Sequence, residues 1–193
     1  MSGKLQIRQL DLEGVFEVLP PRFGDERGFF SETYNGRHLA EAGLSLEFVQ
    51  DNHSLSAKAG VLRGLHYQLN PHAQDKLLRV VRGAIFDVAV DIRRSSPTFG
   101  KWVGLEISAD KWNQILVPAG FAHGFVTLEP DTVVVYKVTD TYSPAHDRAI
   151  RFDDPAIGIR WPVETGGLVL SDKDRNAPLL ADAEVFETEA RGG

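Results

Sequence analysis

The chain has 193 residues, no cysteine, 42% hydrophobic, 25% charged and 9% aromatic residues, the make-up of an ordinary globular protein, not a disordered or disulfide-stapled one. Its 21 Lys and Arg against 27 Asp and Glu give a formal charge of -6, so it has no global attraction for nucleic acid or an anionic membrane, and any anionic ligand must meet a local cationic pocket. The absence of Cys excludes thiol nucleophiles, thiolate metal sites and disulfides, leaving His, Asp, Glu, Lys, Tyr and hydroxyl groups for any chemistry. The start, Met1-Ser2-Gly3-Lys4-Leu5-Gln6, lacks the apolar stretch of a secretion signal, and no run of about 18 apolar residues follows; cytoplasmic residence without membrane contact is expected.

In chain order, the first element with helical character is Arg37 to Gly43, preceded by Asn35 as N-cap and stopped by Gly43. From there period-two alternation dominates. In Phe86-Asp87-Val88-Ala89-Val90-Asp91-Ile92 the apolar Phe86, Val88, Val90 and Ile92 share one face and Asp87 and Asp91 the other, which predicts a half-buried strand. Trp102–Ile107, Gln114–Val117, Gly124–Leu128 and Thr132–Val138 read as further strands, each closed by Gly, Pro, Asp or Asn. Pro155 and Pro162 bracket an irregular segment, and the tail from Ala181 to Gly193 is expected to fray or pack on a neighbour. Short strands at regular spacing and little helix predict one all-β sandwich or barrel domain over residues 1–193.

Two segments place histidines beside turn glycines: Gly60-Val61-Leu62-Arg63-Gly64-Leu65-His66-Tyr67-Gln68 and Pro118-Ala119-Gly120-Phe121-Ala122-His123-Gly124. Their spacing resembles the two motifs of the cupin superfamily, which in its metal-binding members supplies three His and one Glu. Here Gln68 stands at the second His position and Lys76 at the Glu position, so a positive charge occupies the place of the cation, and no metal is expected. Without metal or redox cofactor, an imidazole of ordinary pKa about 6.5 can take a proton, Lys can stabilise an oxyanion and Tyr can return a proton. Those are the parts for proton abstraction next to a carbonyl. His66, Lys76 and Tyr136 are the candidates, with Asp174 as the group that would fix the His66 tautomer. Arg27 and Glu32 in Arg27-Gly28-Phe29-Phe30-Ser31-Glu32, and Gln50 and Asn52 in Gln50-Asp51-Asn52-His53-Ser54, lie near expected turns and could grip a phosphorylated, hydroxyl-rich ligand.

Taken in order with Phe48-Val49-Gln50-Asp51-Asn52-His53-Ser54 and Leu170-Ser171-Asp172-Lys173-Asp174, these segments resemble the dTDP-4-dehydrorhamnose 3,5-epimerase family from about Leu10 to Leu180. The resemblance implies a cupin-type jelly roll with short peripheral helices, working as a homodimer without cofactor. It implies conversion of dTDP-4-dehydro-6-deoxy-D-glucose to dTDP-4-dehydro-L-rhamnose by inversion at carbons 3 and 5, which flank the ketone. It assigns His66 as base, Asp174 as its partner, Tyr136 as acid and Lys76 as oxyanion stabiliser, with Arg63 and His123 lining the pocket. Arg27, Glu32, Gln50, Asn52, Asp147 and Lys173 would hold nucleotide, diphosphate or sugar. Ala145, Asp147, Phe152 and Asp75 depart from the family pattern. The rival readings are a single-site epimerase of a related dTDP-4-keto-6-deoxysugar, a non-catalytic nucleotide-sugar-binding cupin, and a metal-dependent cupin enzyme.

Overall fold

The computed structural model describes residues 3–187. Strands β1 (Gln6–Gln9) and β2 (Phe16–Leu19) lead into a small hairpin, β3 (Phe23–Asp25) and β4 (Gly28–Phe30), and a short helix α1 (Gly36–Glu41). Strands β5 (Gln50–Ser56), β6 (Leu62–Gln68), β7 (Lys76–Arg82), β8 (Ala84–Asp91) and β9 (Trp102–Ser108) follow. Then come β10 (Gln114–Val117), β11 (Phe121–Thr127), β12 (Thr132–Val138), β13 (Asp147–Ala149) and the one-turn helix α2 (Asp172–Arg175). Six strands pair in the order β1-β2-β10-β7-β12-β5 and five in the order β13-β6-β11-β8-β9. The pairs within both sheets are antiparallel. Consecutive strands that alternate between two facing sheets make this a jelly roll, as expected.

The inner core between the sheets joins Leu78, Val80, Ile115 and Val134 of the larger sheet to Ile85, Ala89, Ile107 and Phe125 of the smaller. A second core lies outside the smaller sheet, where Leu65, Val88, Val90 and Ile92 meet Ile157, Leu180, Val185 and Phe186. Strand β8 is therefore covered on both faces, not half-buried. Its apolar face lies under the C-terminal segment, and the Asp87 face looks into the sandwich, where Asp87 and Asp91 are fully buried. Each carboxylate is satisfied there, Asp91 by Arg93, Ser96 and Thr98 and Asp87 by His123, which is what makes burial of such groups tolerable.

Over its described part the tail neither frays nor turns to a neighbour. Ala183, Val185 and Phe186 are buried against their own chain, and Phe186 bridges Arg93 in parallel; residues 188–193 lie outside the described residues. The Gln50–Ser54 segment, expected near turns, is strand β5, paired along its length with β12. Helix α1 begins where expected, with the Asn35 side chain accepting from the N–H groups of Arg37 and His38, and Gly43 ends it at a φ of 89°. Leu39 of α1 packs on Leu77, Leu116 and Val18 and covers the outside of the larger sheet. Among the described residues no helix is long and apolar enough to cross a membrane.

Candidate active site

Between the sheets, at the end formed by β5, β12 and β7 on one side and β6 and β11 on the other, lies a cavity of about 490 Å³. Strand periodicity decides what enters it. On β6, Leu65 and Tyr67 face the outer core, so His66 and Gln68 point inward. On β7, Leu77 faces α1 while Lys76 and Leu78 face the cavity, and on β12 Tyr136 follows Val134 to the inside. His123 of β11 stands directly opposite His66 in the strand register. Helix α2 closes the remaining side with Lys173 and Asp174.

The central contact is between His66 and Asp174: Nε2 of the imidazole lies 2.5 Å from Oδ1 of a carboxylate that is 2% exposed. Burial pushes the Asp174 carboxyl up, but the hydrogen bond and charge of His66, the Ser171 hydroxyl and the Gly64 N–H outweigh it and hold the carboxyl below its ordinary range. With Nε2 committed to Asp174, Nδ1 is the ring atom left to accept a proton from a ligand. The Lys76 ammonium donates to the His66 carbonyl oxygen at 3.1 Å. Its desolvation brings the pKa down to about 8, against the attraction of Asp87 and Asp147 and helped by repulsion from Lys173. Burial, with the nearby Asp147 charge, raises the Tyr136 hydroxyl above its ordinary value in spite of Arg63, which keeps it a proton donor. The pocket thus holds a carboxylate-backed imidazole on one sheet and, on the facing sheet, a protonated phenol and an ammonium. That set suits carbon acid chemistry beside a carbonyl.

Every side chain expected at the site lines this cavity except Arg27 and Glu32. Arg27 sits at the tip of the β3–β4 hairpin, paired at 2.5 Å with Asp25. Glu32 turns toward α1, within 3.0 Å of His38 Nδ1 and 2.9 Å of Asn35 Nδ2. At the mouth, Lys173 and the Tyr142 hydroxyl both donate to the same Asp147 oxygen, the latter at 3.0 Å. Gln50 and Asn52 bond one another, and Gln50 accepts the Tyr142 N–H. Gln68 is held by its neighbours: its amide donates to the carbonyls of His72 and Thr141 and accepts from the Ser143 N–H, so it pins two loops together.

A family model described as dTDP-4-dehydrorhamnose 3,5-epimerase matches residues 9–182. The chain belongs to that family. A Shigella flexneri dTDP-4-dehydrorhamnose 3,5-epimerase is 55% identical over 183 residues, covering 94% of this chain and 99% of the relative. The crystal structure of the Bacillus anthracis dTDP-4-dehydrorhamnose 3,5-epimerase with TDP and PPi bound superposes with a TM-score of 0.88 at 50% identity, covering 91% of this chain and 99% of that one. A Legionella pneumophila epimerase in complex with dTDP-4-keto-L-rhamnose gives 0.87 at 44% identity, with 92% and 93% covered.

Against this family background, two cavity-lining groups, Ser171 and Tyr142, and one behind the lining, Asp87, are not among the residues expected from the sequence. Asp87 accepts His123 Nε2 with both oxygens at 2.9 Å, making a second, deeper imidazole–carboxylate pair. Its signal was present, because it alternates out of the apolar face of its strand. Ser171 was legible as an N-cap three residues before an acid, in Ser171-Asp172-Lys173-Asp174. Tyr142, exposed at the mouth, lies in a loop with no periodicity to mark it.

Proposed function

We propose that this chain is a cofactor-free dTDP-4-dehydrorhamnose 3,5-epimerase, a single jelly-roll domain acting on dTDP-4-dehydro-6-deoxy-D-glucose. The observation that carries the proposal is the placement of base and acid on opposite walls, with His66 on the smaller sheet and Tyr136 on the larger. Inversion at carbon needs a proton removed from one face and returned to the other. The ketone at carbon 4 acidifies the hydrogens on carbons 3 and 5. Nδ1 of His66 takes the proton, the electron pair moves into an enolate whose oxygen faces the Lys76 ammonium, and Asp174 stabilises the imidazolium. Tyr136 then delivers its proton to the opposite face of the carbon. Solvent reprotonates the phenolate and takes the proton from His66, so the net reaction is an isomerisation. A shift of the sugar presents the second carbon to the same groups.

Arg63 and Lys173 supply positive charge for the diphosphate, and Gln50 and Asn52 supply amides for sugar and nucleoside. The ammonium at Lys76 opposes a divalent ion, and the Gln68 amide is already held by three hydrogen bonds, which supports metal-free chemistry. The chain works as a homodimer on this reading. Its β3–β4 hairpin exposes Phe23, Phe29 and Phe30 at 52, 50 and 71%, and a second copy gives Arg27 and Glu32 a cavity to reach, which their own chain does not. A nucleotide-sugar substrate and a chain without cysteine fit the cytoplasm.

The test is proton NMR of dTDP-4-dehydro-6-deoxy-D-glucose with the protein in deuterium oxide. Loss of the signals at carbons 3 and 5, abolished in His66→Ala, is expected. Loss at one carbon assigns a single-site epimerase, and loss at neither refutes the catalytic reading.

A further inference from the structure

Helix α2 is a single turn, and the residue that starts it does more than capping requires. The Ser171 oxygen accepts the Asp174 N–H at 3.1 Å, the ordinary N-cap bond. That bond uses a lone pair and leaves the hydroxyl hydrogen unspent. The hydrogen goes to Asp174 Oδ2, with the oxygens 2.8 Å apart, while Oδ1 holds His66. Asp174 is therefore gripped at its backbone by one lone pair of Ser171 and at its carboxylate by the hydrogen of the same hydroxyl. The Gly64 backbone, on the strand that bears His66 two residues later, also helps hold the carboxyl low. Hydroxyl, carboxylate and imidazole form one line from the helix start to the ring.

We propose that Ser171 is a positioning residue for the epimerisation, fixing through its hydroxyl the plane of the Asp174 carboxylate and, through that, the orientation of the His66 ring. Without the hydroxyl the carboxylate keeps its bond to His66 and gains freedom to rotate about its Cβ–Cγ bond, so the imidazole loses its aim without losing its partner. The inference rests on the proposed reaction at His66.

Three substitutions separate this role from capping. Glycine caps a helix nearly as well as serine, whereas alanine does not, and threonine keeps the hydroxyl. Positioning predicts that Ser171→Ala and Ser171→Gly both lower kcat by about tenfold, the scale of one hydrogen bond to a charged group, with KM within about twofold, and that Ser171→Thr recovers most of the loss. It also predicts that the His66 Nε2–H proton resonance, expected downfield because of the bond to Asp174, moves upfield in the alanine and glycine variants of the free protein. Recovery in Ser171→Gly of what Ser171→Ala loses reduces the role to capping and overturns the proposal. So does a change confined to KM, which makes Ser171 a substrate contact, or a kcat within about twofold of the native value in both variants. The resonance is read without substrate. If the native chain has no activity on the keto-sugar, the functional reading fails, and the resonance alone then decides whether the Ser171 hydroxyl orients the His66 ring: an unmoved resonance overturns that hold and an upfield shift upholds it.

Discussion

Replacing Lys76 by methionine is expected to make the protein more stable and nearly inactive. The ammonium sits in a cavity whose desolvation lowers its pKa from 10.5 to about 8, a difference worth about 3 kcal/mol at ~1.36 kcal/mol per pH unit. Below pH 8 both folded and unfolded chains carry the charge, so this cost is borne in full at neutral pH. Between 8 and 10.5 the unfolded chain binds the proton that the folded chain has released, stability rises with pH, and above 10.5 the cost is gone. Methionine keeps an unbranched apolar stem, one atom shorter and without the charge, and it forfeits the bond to the His66 carbonyl, about 1 kcal/mol. The net gain at pH 7 is about 2 kcal/mol, or about 4–8 °C in Tm for a chain of this size. Turnover should fall by about a hundredfold, because an oxyanion donor is lost. Urea unfolding of both proteins at pH 7, 9 and 10.5 reads the effect, with the gap between them closing as pH rises. A variant less stable than the native chain at pH 7, or a gap indifferent to pH, would refute the reasoning. The same titration should make native turnover decline above about pH 8, as the ammonium that faces the enolate becomes neutral.

Tyr136→Phe keeps the base and removes the acid, so deuterium exchange at carbons 3 and 5 should persist while formation of inverted product drops by about a hundredfold; equal loss of both in the NMR assay would put Tyr136 outside the proton relay. Asp147→Asn removes the carboxylate that Lys173 and Tyr142 share, freeing the ammonium for diphosphate, and dTDP should bind about three- to tenfold tighter by calorimetry; weaker binding would make Asp147 itself a ligand contact. Gly64→Ala puts a Cβ 2.5 Å from the Gly124 Cα at a φ of 137°, where β6 and β11 touch, and should cost more than about 3 kcal/mol in unfolding free energy; a soluble variant with unchanged Tm would show that the two strands can part.

Strands such as Gln114–Val117 and Thr132–Val138 were legible to the residue, because each is a short apolar run bounded by turn formers. Strand β5 was not: Gln50, Asn52 and Ser54 face a polar cavity and Asp51 and His53 the other side, so neither face carries an apolar signature. Strand β8 was found, but as half-buried. Its Asp87 face, which carries Ile85 and Ala89, looks into the sandwich, and the face of Val88 and Val90 is covered by Ile157, Leu180 and Phe186 from more than sixty positions later in the chain. The chemical groups were legible from their types and motif spacing, since His66, Lys76, Tyr136 and Asp174 do converge. Which oxygen binds which nitrogen, and that Asp87 already engages His123, depends on contacts between residues far apart in sequence.

The proposed acid and base belong to different sheets, and among the described residues no strand pairing joins the wall of β12 to the wall of β6. The spacer is the inner core, where Leu78 and Val134 of one sheet meet Phe125 and Ile85 of the other. Side-chain volume at those positions, against which Tyr136 itself packs and two of which, Leu78 and Phe125, also line the cavity, therefore acts as a caliper on the proposed acid and base. Stereochemical outcome becomes a heritable property of the hydrophobic filling, and a line of descent could drift from inverting a carbon to merely exchanging its hydrogen through changes that leave the polar lining intact.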